Sequence, residues 1–344
     1  FVMNVESFSS IKGKNAGEWM SRALGKNGLI AIDESTTIKN HKAKRTKALM
    51  KIAAGFKYRR LLTGSPITKS PMDIYSQCEF LRPGLLGYES YYAFQGRYAV
   101  VQRKTMGQAA FQQIIGFKNI DELTGKIDRF SFRVLKKDCL DLPDKIYTAR
   151  YVGMTAEQFK MYEDVRRHAM VLLDDGEMVT APAVITQMLR LQQIMSGYLK
   201  TDDDEMMYFP SKRMDALTEI MNEHDGKAII WSRFRYDIKQ ITQMLNDKFG
   251  AGSAAAYFGD TTDDDRNNIV KNFQNPDHPL RFFVGNPATA GYGLTLTEAN
   301  LVVYYANDFN LETRIQSEDR AHRIGQKNNV TYIDLICEGS IDER

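Results

Sequence analysis

Gly28–Asp33 reads GLIAID and Arg60–Thr63 reads RLLT, with a run rich in Lys, Ala, Leu and Met over 41–55 between them. A short apolar run bounded by glycine and ended by acid is the pattern of a buried parallel strand. Strand, helix and strand at this spacing make a βαβ unit, which commits the chain to an α/β architecture. The same alternation returns after Ser211. Lys212–Glu223, Tyr236–Phe249 and Thr262–Phe273 read as helices, the last capped by Thr261 or Thr262. Ala228–Ser232 (AIIWS), Ala254–Phe258, Arg281–Gly285 (RFFVG), Leu301–Tyr305 (LVVYY) and Val330–Ile336 read as strands, and Leu311–Arg323 as a helix before the last of them.

Between the two blocks the pattern changes. From Pro71 to about Lys137, aromatic and polar residues mix and strand signals are few, which predicts several short helices. Lys145–Val152 reads as an extended crossing segment, Ala156–Leu173 and Ala183–Leu199 as helices with apolar residues at three-four spacing, and Asp202–Glu205 as an acidic loop. The expected organisation is one α/β domain over 1–150 with a helical insertion at about 71–140, and a second over 151–344 with an insertion at about 155–200.

Composition fits two folded domains. Of 344 residues, 43% are hydrophobic and 26% charged, which excludes a disordered tail or a coiled-coil rod. No apolar run approaches the roughly 18 residues of a membrane span, and FVMNVESFSS lacks the layout of a signal peptide. Cys78, Cys139 and Cys337 form no CxxC pair, and the histidines at 41, 168, 224, 278 and 322 show no paired ligand spacing, so no zinc site is expected. An intracellular setting, cytoplasmic or nuclear, fits best. The net charge of +3 hides an asymmetry: residues 1–150 carry 26 Lys and Arg against 13 Asp and Glu, and residues 151–344 carry 20 against 30. Residues 35–72 hold ten basic side chains and no acidic one. A solvated helix face is the usual explanation of such a run, but its place directly after Asp33-Glu34 suits a polyanion-binding surface.

Two sites carry chemistry. Asp33-Glu34 closes an apolar strand, where ligands of open α/β sheets bind, and an acidic pair there can hold Mg²⁺ and orient a water. By itself the dipeptide reads sooner as a helix N-cap, since Asp and Glu commonly open helices. Near the other end lies Gln316-Ser-Glu-Asp-Arg320-Ala-His-Arg323-Ile-Gly-Gln326. On a helix, Gln316, Arg320 and Arg323 would share one face, and paired arginines can grip phosphate oxygens. His322, between them, reads as packing.

This last stretch resembles motif VI of helicase superfamily two in the form used by Swi/Snf-type DNA translocases. Asp33-Glu34-Ser35-Thr36 with Ile38-Lys39-Asn40 resembles motif II and its trailing segment, Leu61–Ile67 motif III, Ile229–Phe234 motif IV and Thr289–Leu296 motif V. Phe80–Gly84 resembles the opening of the family's helical insertion, Phe309-Asn310 stands where Trp-Asn is usual, and residues 1–8 resemble motif Ib. The resemblance implies two RecA-like lobes with helical insertions, the first incomplete, with ATP and Mg²⁺ between the lobes and double-stranded DNA across the same cleft. It further implies that Asp33 coordinates Mg²⁺, Glu34 handles the attacking water, and Arg320 and Arg323 sense phosphate. Gln316 would link nucleotide to motif V, Gly293 would approach the nucleotide, and Lys39, Ser232 and Thr289 would contact the DNA backbone.

Three features depart from the pattern. Motif II ends in Ser35-Thr36 where the family has Ala-His. Motif V is one residue short and resembles the annealing-helicase and viral branches. No G-x-x-x-x-G-K-[ST] occurs: Gly-Lys at 13–14, 25–26, 125–126 and 226–227 is followed by Asn15, Asn27, Ile127 and Ala228. The expectation is therefore a P-loop segment upstream of Phe1 or supplied in trans, with little hydrolysis by residues 1–344 alone. A non-catalytic nucleic-acid-binding module of the same fold is the alternative. An RNA helicase of the superfamily is a third reading, disfavoured by the helical middle.

Overall fold

The computed structural model describes residues 1–343 apart from 107–108, 175–180, 202–204 and 291–292. The chain divides into two compact units, Phe1–Val134 and Leu135–Arg344.

The first unit contains, in order, α1 (Ile11–Leu24), β1 (Leu29–Ile32), α2 (Lys44–Ala53), β2 (Tyr58–Leu61), α3 (Ile74–Leu81), α4 (Tyr91–Tyr98), β3 (Ala99–Met106), β4 (Ala109–Phe117) and α5 (Ile120–Asp128). β1 and β2 pair in parallel, Leu29 opposite Tyr58 through Ile32 opposite Leu61, as the βαβ reading requires. α2 turns Leu49, Ile52 and Ala53 inward onto Phe8, Ile32, Ile38, Phe56 and Phe80. Its other face, at three-four spacing, carries Lys44, Lys47 and Lys51. Gly17 of α1 permits this packing, since a Cβ there would lie 2.4 Å from Ile52 Cδ1. Aromatics of the insertion form their own core, with Phe94 and Tyr98 fully buried among Tyr75, Leu86 and Leu123. Contrary to expectation, this insertion is not wholly helical. β3 and β4 form an antiparallel hairpin, favoured by the β-branched Val100, Val101, Ile114 and Ile115.

The second unit contains α6 (Lys136–Cys139), β5 (Lys145–Val152), α7 (Ala156–Asp174), α8 (Ala181–Met195), β6 (Tyr198–Lys200), β7 (Met206–Tyr208), α9 (Lys212–Glu223), β8 (Lys227–Ser232), α10 (Arg235–Phe249), β9 (Ala254–Tyr257), α11 (Asp263–Phe273), β10 (Phe282–Gly285), α12 (Pro287–Ala290), β11 (Ala299–Ala306), α13 (Leu311–Glu318) and β12 (Val330–Cys337). Six strands make one parallel sheet in the order β5-β12-β11-β8-β10-β9. The unit boundary therefore falls at 134/135 and not at 150. Lys145–Val152 is no crossing segment but a strand paired along its length with β12.

Period-two alternation gives the sheet two apolar faces, as parallel strands covered by helices require. Ala228, Ile230, Phe282, Val284, Leu301 and Val303 pack against Leu217, Met221, Ile238, Ile241 and Leu245 of α9 and α10. Ile229, Trp231, Phe283, Val302 and Tyr304 face the other way, onto Phe273 and Ala321. Thr262 caps α11, its Oγ1 accepting from Asp265 N at 3.2 Å. At the far end of α11 the Lys227 ammonium donates to the carbonyls of Phe273 (2.8 Å) and Asn275 (2.5 Å), where the helix dipole favours a cation. The α7–α8 hairpin buries Tyr162, Leu191, Ile194 and Met195, in keeping with the apolar three-four spacing of its helices. The acidic-loop reading at 202–204 and motif V residues Gly291 and Tyr292 lie outside the described residues. Among the described residues no helix is long and apolar enough to cross a membrane.

Candidate functional site

In the first unit, β1 delivers Asp33 to its carboxyl end, exposed, with Oδ1 accepting from Glu34 N–H at 2.9 Å. Glu34 has φ 49° and ψ 60°, the left-handed region. For a residue other than glycine this stores on the order of 1–3 kcal/mol. The kink starts a single 3₁₀ turn, Ser35–Ile38, with no side-chain cap from Glu34. That turn is locked from beneath. Ser35, fully buried, donates its Oγ to Gln77 Oε1 at 2.6 Å, and Gln77 Nε2 donates to Pro66 O (2.7 Å) and Asp73 O (2.8 Å). Ser76 Oγ reaches the carbonyls of Ile38 and Lys39, each at 2.7 Å. Ser35 N donates to Leu62 O at 3.1 Å, joining the 33–36 segment to the 61–67 segment.

Lys39 donates its Nζ to Thr68 Oγ1, whose hydroxyl and amide in turn donate to Asp73 Oδ2, both at 3.1 Å. The ammonium expected at a DNA backbone thus also braces the loop after β2. Of the other basic residues in 35–72, Arg45 pairs with Glu6 and Lys51 with Glu18, while Lys42, Lys44, Lys47, Lys57 and Lys69 are exposed.

In the second unit, the arginine-bearing stretch folds differently from the expected helix. α13 stops at Glu318, so Gln316 is helical but Arg320 and Arg323 lie in the turns that follow, and the three share no helical face. The two arginines nevertheless converge: Arg323 Nη1 donates to Leu294 O at 3.0 Å and Arg320 Nη1 to the same oxygen at 3.4 Å. Leu296 N donates to Arg320 O at 2.9 Å. The expected partner segment, 289–296, is thereby laced to the arginine loop without any shared helix. Gly293, next to that carbonyl, has φ 75°, a conformation in which a side chain would be strained. Thr289 is partly exposed on α12, its amide donating to Asn286 Oδ1 at 3.2 Å. Gln316 is also partly exposed.

Ser232 is a correction. It is fully buried and donates its Oγ to Asp237 Oδ2 at 2.7 Å, so its hydroxyl is not presented to a ligand. Ser196 donates to the same oxygen at 3.1 Å. Burial pushes the Asp237 carboxyl up to about 7, only partly offset by the two hydroxyls and by Arg213.

Gln326 closes the arginine-bearing stretch, and its role becomes visible only in the fold. Buried at 7% exposure, its Nε2 faces the carbonyls of Thr297 (2.9 Å), Ala299 (2.9 Å) and Ala321 (3.1 Å), and its Oε1 accepts from the amides of Lys327 and Asn328, both at 2.9 Å. One carboxamide thus ties the arginine loop to the start of β11.

An SNF2-related domain matches residues 9–198, more than half of the chain, and a helicase conserved C-terminal domain matches 212–325. The chain belongs to the SNF2-related family. Among relatives of this SNF2-family chain, the putative ATP-dependent helicase/translocase YwqA of Bacillus subtilis is 27% identical over 92% of the chain and 34% of its own length. The SWI/SNF chromatin-remodeling complex subunit snf22 of Schizosaccharomyces pombe is 27% identical over 91% of the chain and 20% of its own length. The SNF2-family chain thus spans about a third of one of these relatives and a fifth of the other. A solved Sulfolobus solfataricus SWI2/SNF2 ATPase core in complex with double-stranded DNA is similar at 28% identity and a TM-score of 0.46, over 96% of this chain and 68% of that one. Both ends of the arginine constellation, Leu294 and Arg323, fall within the helicase C-terminal match.

Proposed function

We propose that residues 1–344 form the core of an ATP-dependent double-stranded-DNA translocase. The observation that carries this reading is the convergence of Arg320 and Arg323 on the Leu294 carbonyl beside Gly293. A loop that gathers two guanidiniums, Arg323 half-buried and Arg320 9% exposed, next to a left-handed glycine concentrates positive charge beside an open backbone approach, which suits a polyphosphate.

The donor set near Asp33 fits a magnesium ion. Among the described residues no three His, Cys, Asp or Glu side chains converge, so no all-protein cage exists there. Mg²⁺ is commonly held by one or two carboxylates plus phosphates and waters, and an exposed Asp33 supplies such a carboxylate. Bound Mg·ATP supplies the γ-phosphoryl group and the free energy of its hydrolysis. Asp33 would hold the ion, and Glu34, fixed by its left-handed backbone, would orient the attacking water. Arg320 and Arg323 offset phosphate charge, and Gln316 connects that charge to 289–296. The amides and lysine of a P-loop are supplied from outside residues 1–344, in the same polypeptide or in trans, because no such motif occurs within them.

Lys42, Lys44 and Lys47, exposed beyond motif II, provide sequence-independent phosphate contacts, with Lys39 and Thr289 as further candidates. Binding of that kind suits a motor that must step along any duplex.

The test is Arg323→Ala in the full-length protein. DNA-stimulated ATP turnover should fall at least 100-fold while DNA affinity changes less than about threefold. Lost DNA binding with normal turnover would overturn the assignment. Absence of turnover in the unaltered full-length protein would favour a non-catalytic nucleic-acid-binding module, the reading that the missing P-loop motif supports.

A further inference from the structure

Glu318, the last residue of α13, stands two positions before Arg320, and its contacts exceed what a helix end requires. Its carboxylate is 9% exposed and takes three donors. Arg314 Nε, one turn back, donates at 2.9 Å, while Lys145 Nζ at 3.0 Å and the Tyr147 hydroxyl at 2.7 Å reach it from β5. Its backbone carbonyl accepts from Tyr332 OH at 3.0 Å and from the amides of Ala321 (3.2 Å) and His322 (3.1 Å). The first of those amides belongs to the residue next to Arg320 and the second to the residue before Arg323.

The opening segment of the second unit holds the same loop at three more places. Lys136 pairs with Asp319 at 2.5 Å, His322 Nε2 donates to Pro143 O at 2.7 Å, and Asp144 N donates to Asn329 Oδ1 at 3.0 Å. Tyr147 also stacks on Tyr332, ring centroids 5.2 Å apart, which aims its hydroxyl at Glu318. Every one of these partners lies within 136–147, just after the chain leaves the first unit at Val134.

We propose that Lys145 and Tyr147 are positioning residues for Arg320 and Arg323, acting through Glu318. The inference rests on the reading of those arginines as phosphate-sensing groups. A carboxylate this buried needs its donors. Without the β5 pair it must swing out to water, and the carbonyl that anchors Ala321 and His322 moves with it. The loop then loses the register that brings both guanidiniums to Leu294. Displacement of residues 136–147 would thus reach the arginines directly, through side chains rather than through the sheet.

The test uses Tyr147→Phe and Lys145→Gln, singly and together, in the full-length protein. Tyr147→Phe removes one hydroxyl and keeps the ring stacked on Tyr332, so folding is retained. Lys145→Arg, which keeps the charge, is the rescue control. Amide hydrogen exchange without nucleotide should quicken about tenfold at Ala321 and His322 in the double variant, and stay near the parental rate in Lys145→Arg and in the sheet. The kcat for ATP should fall about fivefold or more with the affinity for DNA unchanged. Parental exchange at Ala321 and His322 in the double variant overturns the proposal. Because that readout needs no nucleotide, it judges the positioning link even if Arg323→Ala shows that the arginines do not serve turnover.

Discussion

At the scale of single residues, the positions that matter are those where local preference is overruled. Glu34 adopts a left-handed backbone that only surrounding contacts can hold, and the buried Ser35–Gln77–Pro66 chain supplies them. Asp237 is a carboxyl sealed under motif IV with two hydroxyls for company. Its folded-state affinity for a proton exceeds the unfolded one, because burial pushes it up to about 7. The associated stability is fully present below the ordinary aspartate range and is lost as pH rises through about 7. Asp237→Asn, which keeps an acceptor for Ser232 without the charge, should therefore be the more stable form at pH 8. That advantage should shrink by about 2–3 kcal/mol on going to pH 5, read by urea unfolding at each pH. A difference that does not change with pH would show that Asp237 titrates as an ordinary aspartate. The Ser232–Asp237 spacing was visible in the sequence. Its burial was not, because it depends on the turn after α8, which brings Ser196 onto the same carboxylate oxygen.

At the scale of elements, strands were far more legible than helix ends. The strands of the second sheet fall within a residue or two of their expected limits, since continuous apolar runs leave few alternatives. The end of α13 was missed for a physical reason: no glycine or proline occurs before Gly325, so nothing local stops the helix. Tertiary bonds stop it, as Tyr332 takes the Glu318 carbonyl and Leu296 takes that of Arg320. The hairpin β3–β4 departs from the helical expectation although its β-branched pairs are in plain sight, because the aromatic residues just before it carry the stronger signal. Edge protection is a third element-level feature. β9 lies at the margin of the sheet, and Asn246 covers it, accepting from Ala254 N and donating to Ala254 O, both at 3.1 Å, while Thr261 Oγ1 donates to Ala256 O at 3.3 Å. Asn246→Ala should uncover a ladder edge made of small side chains and promote self-association. Light scattering against concentration reads the outcome, and an unchanged monomer mass would refute it.

At the scale of the whole molecule, the two units differ in self-sufficiency. The second has a six-stranded sheet buried on both faces. Among the described residues the first has a two-stranded parallel sheet with Leu29 57% and Tyr58 47% exposed, too little for independent stability. Residues 135–344 expressed alone should unfold in one cooperative thermal transition, and residues 1–134 alone should show none. A sharp transition in the shorter piece would contradict this. The charge asymmetry legible in the sequence follows the units: residues 1–134 carry 22 Lys and Arg against 10 Asp and Glu, and residues 135–344 carry 24 against 33.

The strand order of the second unit also has a consequence for synthesis. β5 is the first strand of that sheet to leave the ribosome, yet among the described residues its ladder partner is β12 alone, the last. Until residue 337 has emerged, β5 has no ladder, and Lys145 and Tyr147 have no Tyr332 to stack beside. The arginine loop therefore acquires its final shape only when the sheet closes. A nascent chain stalled before β12 would carry Arg320 and Arg323 without the Tyr332 hydroxyl on the Glu318 carbonyl and without a ladder to place Lys145 and Tyr147, so the loop's final shape waits for translation through residue 337.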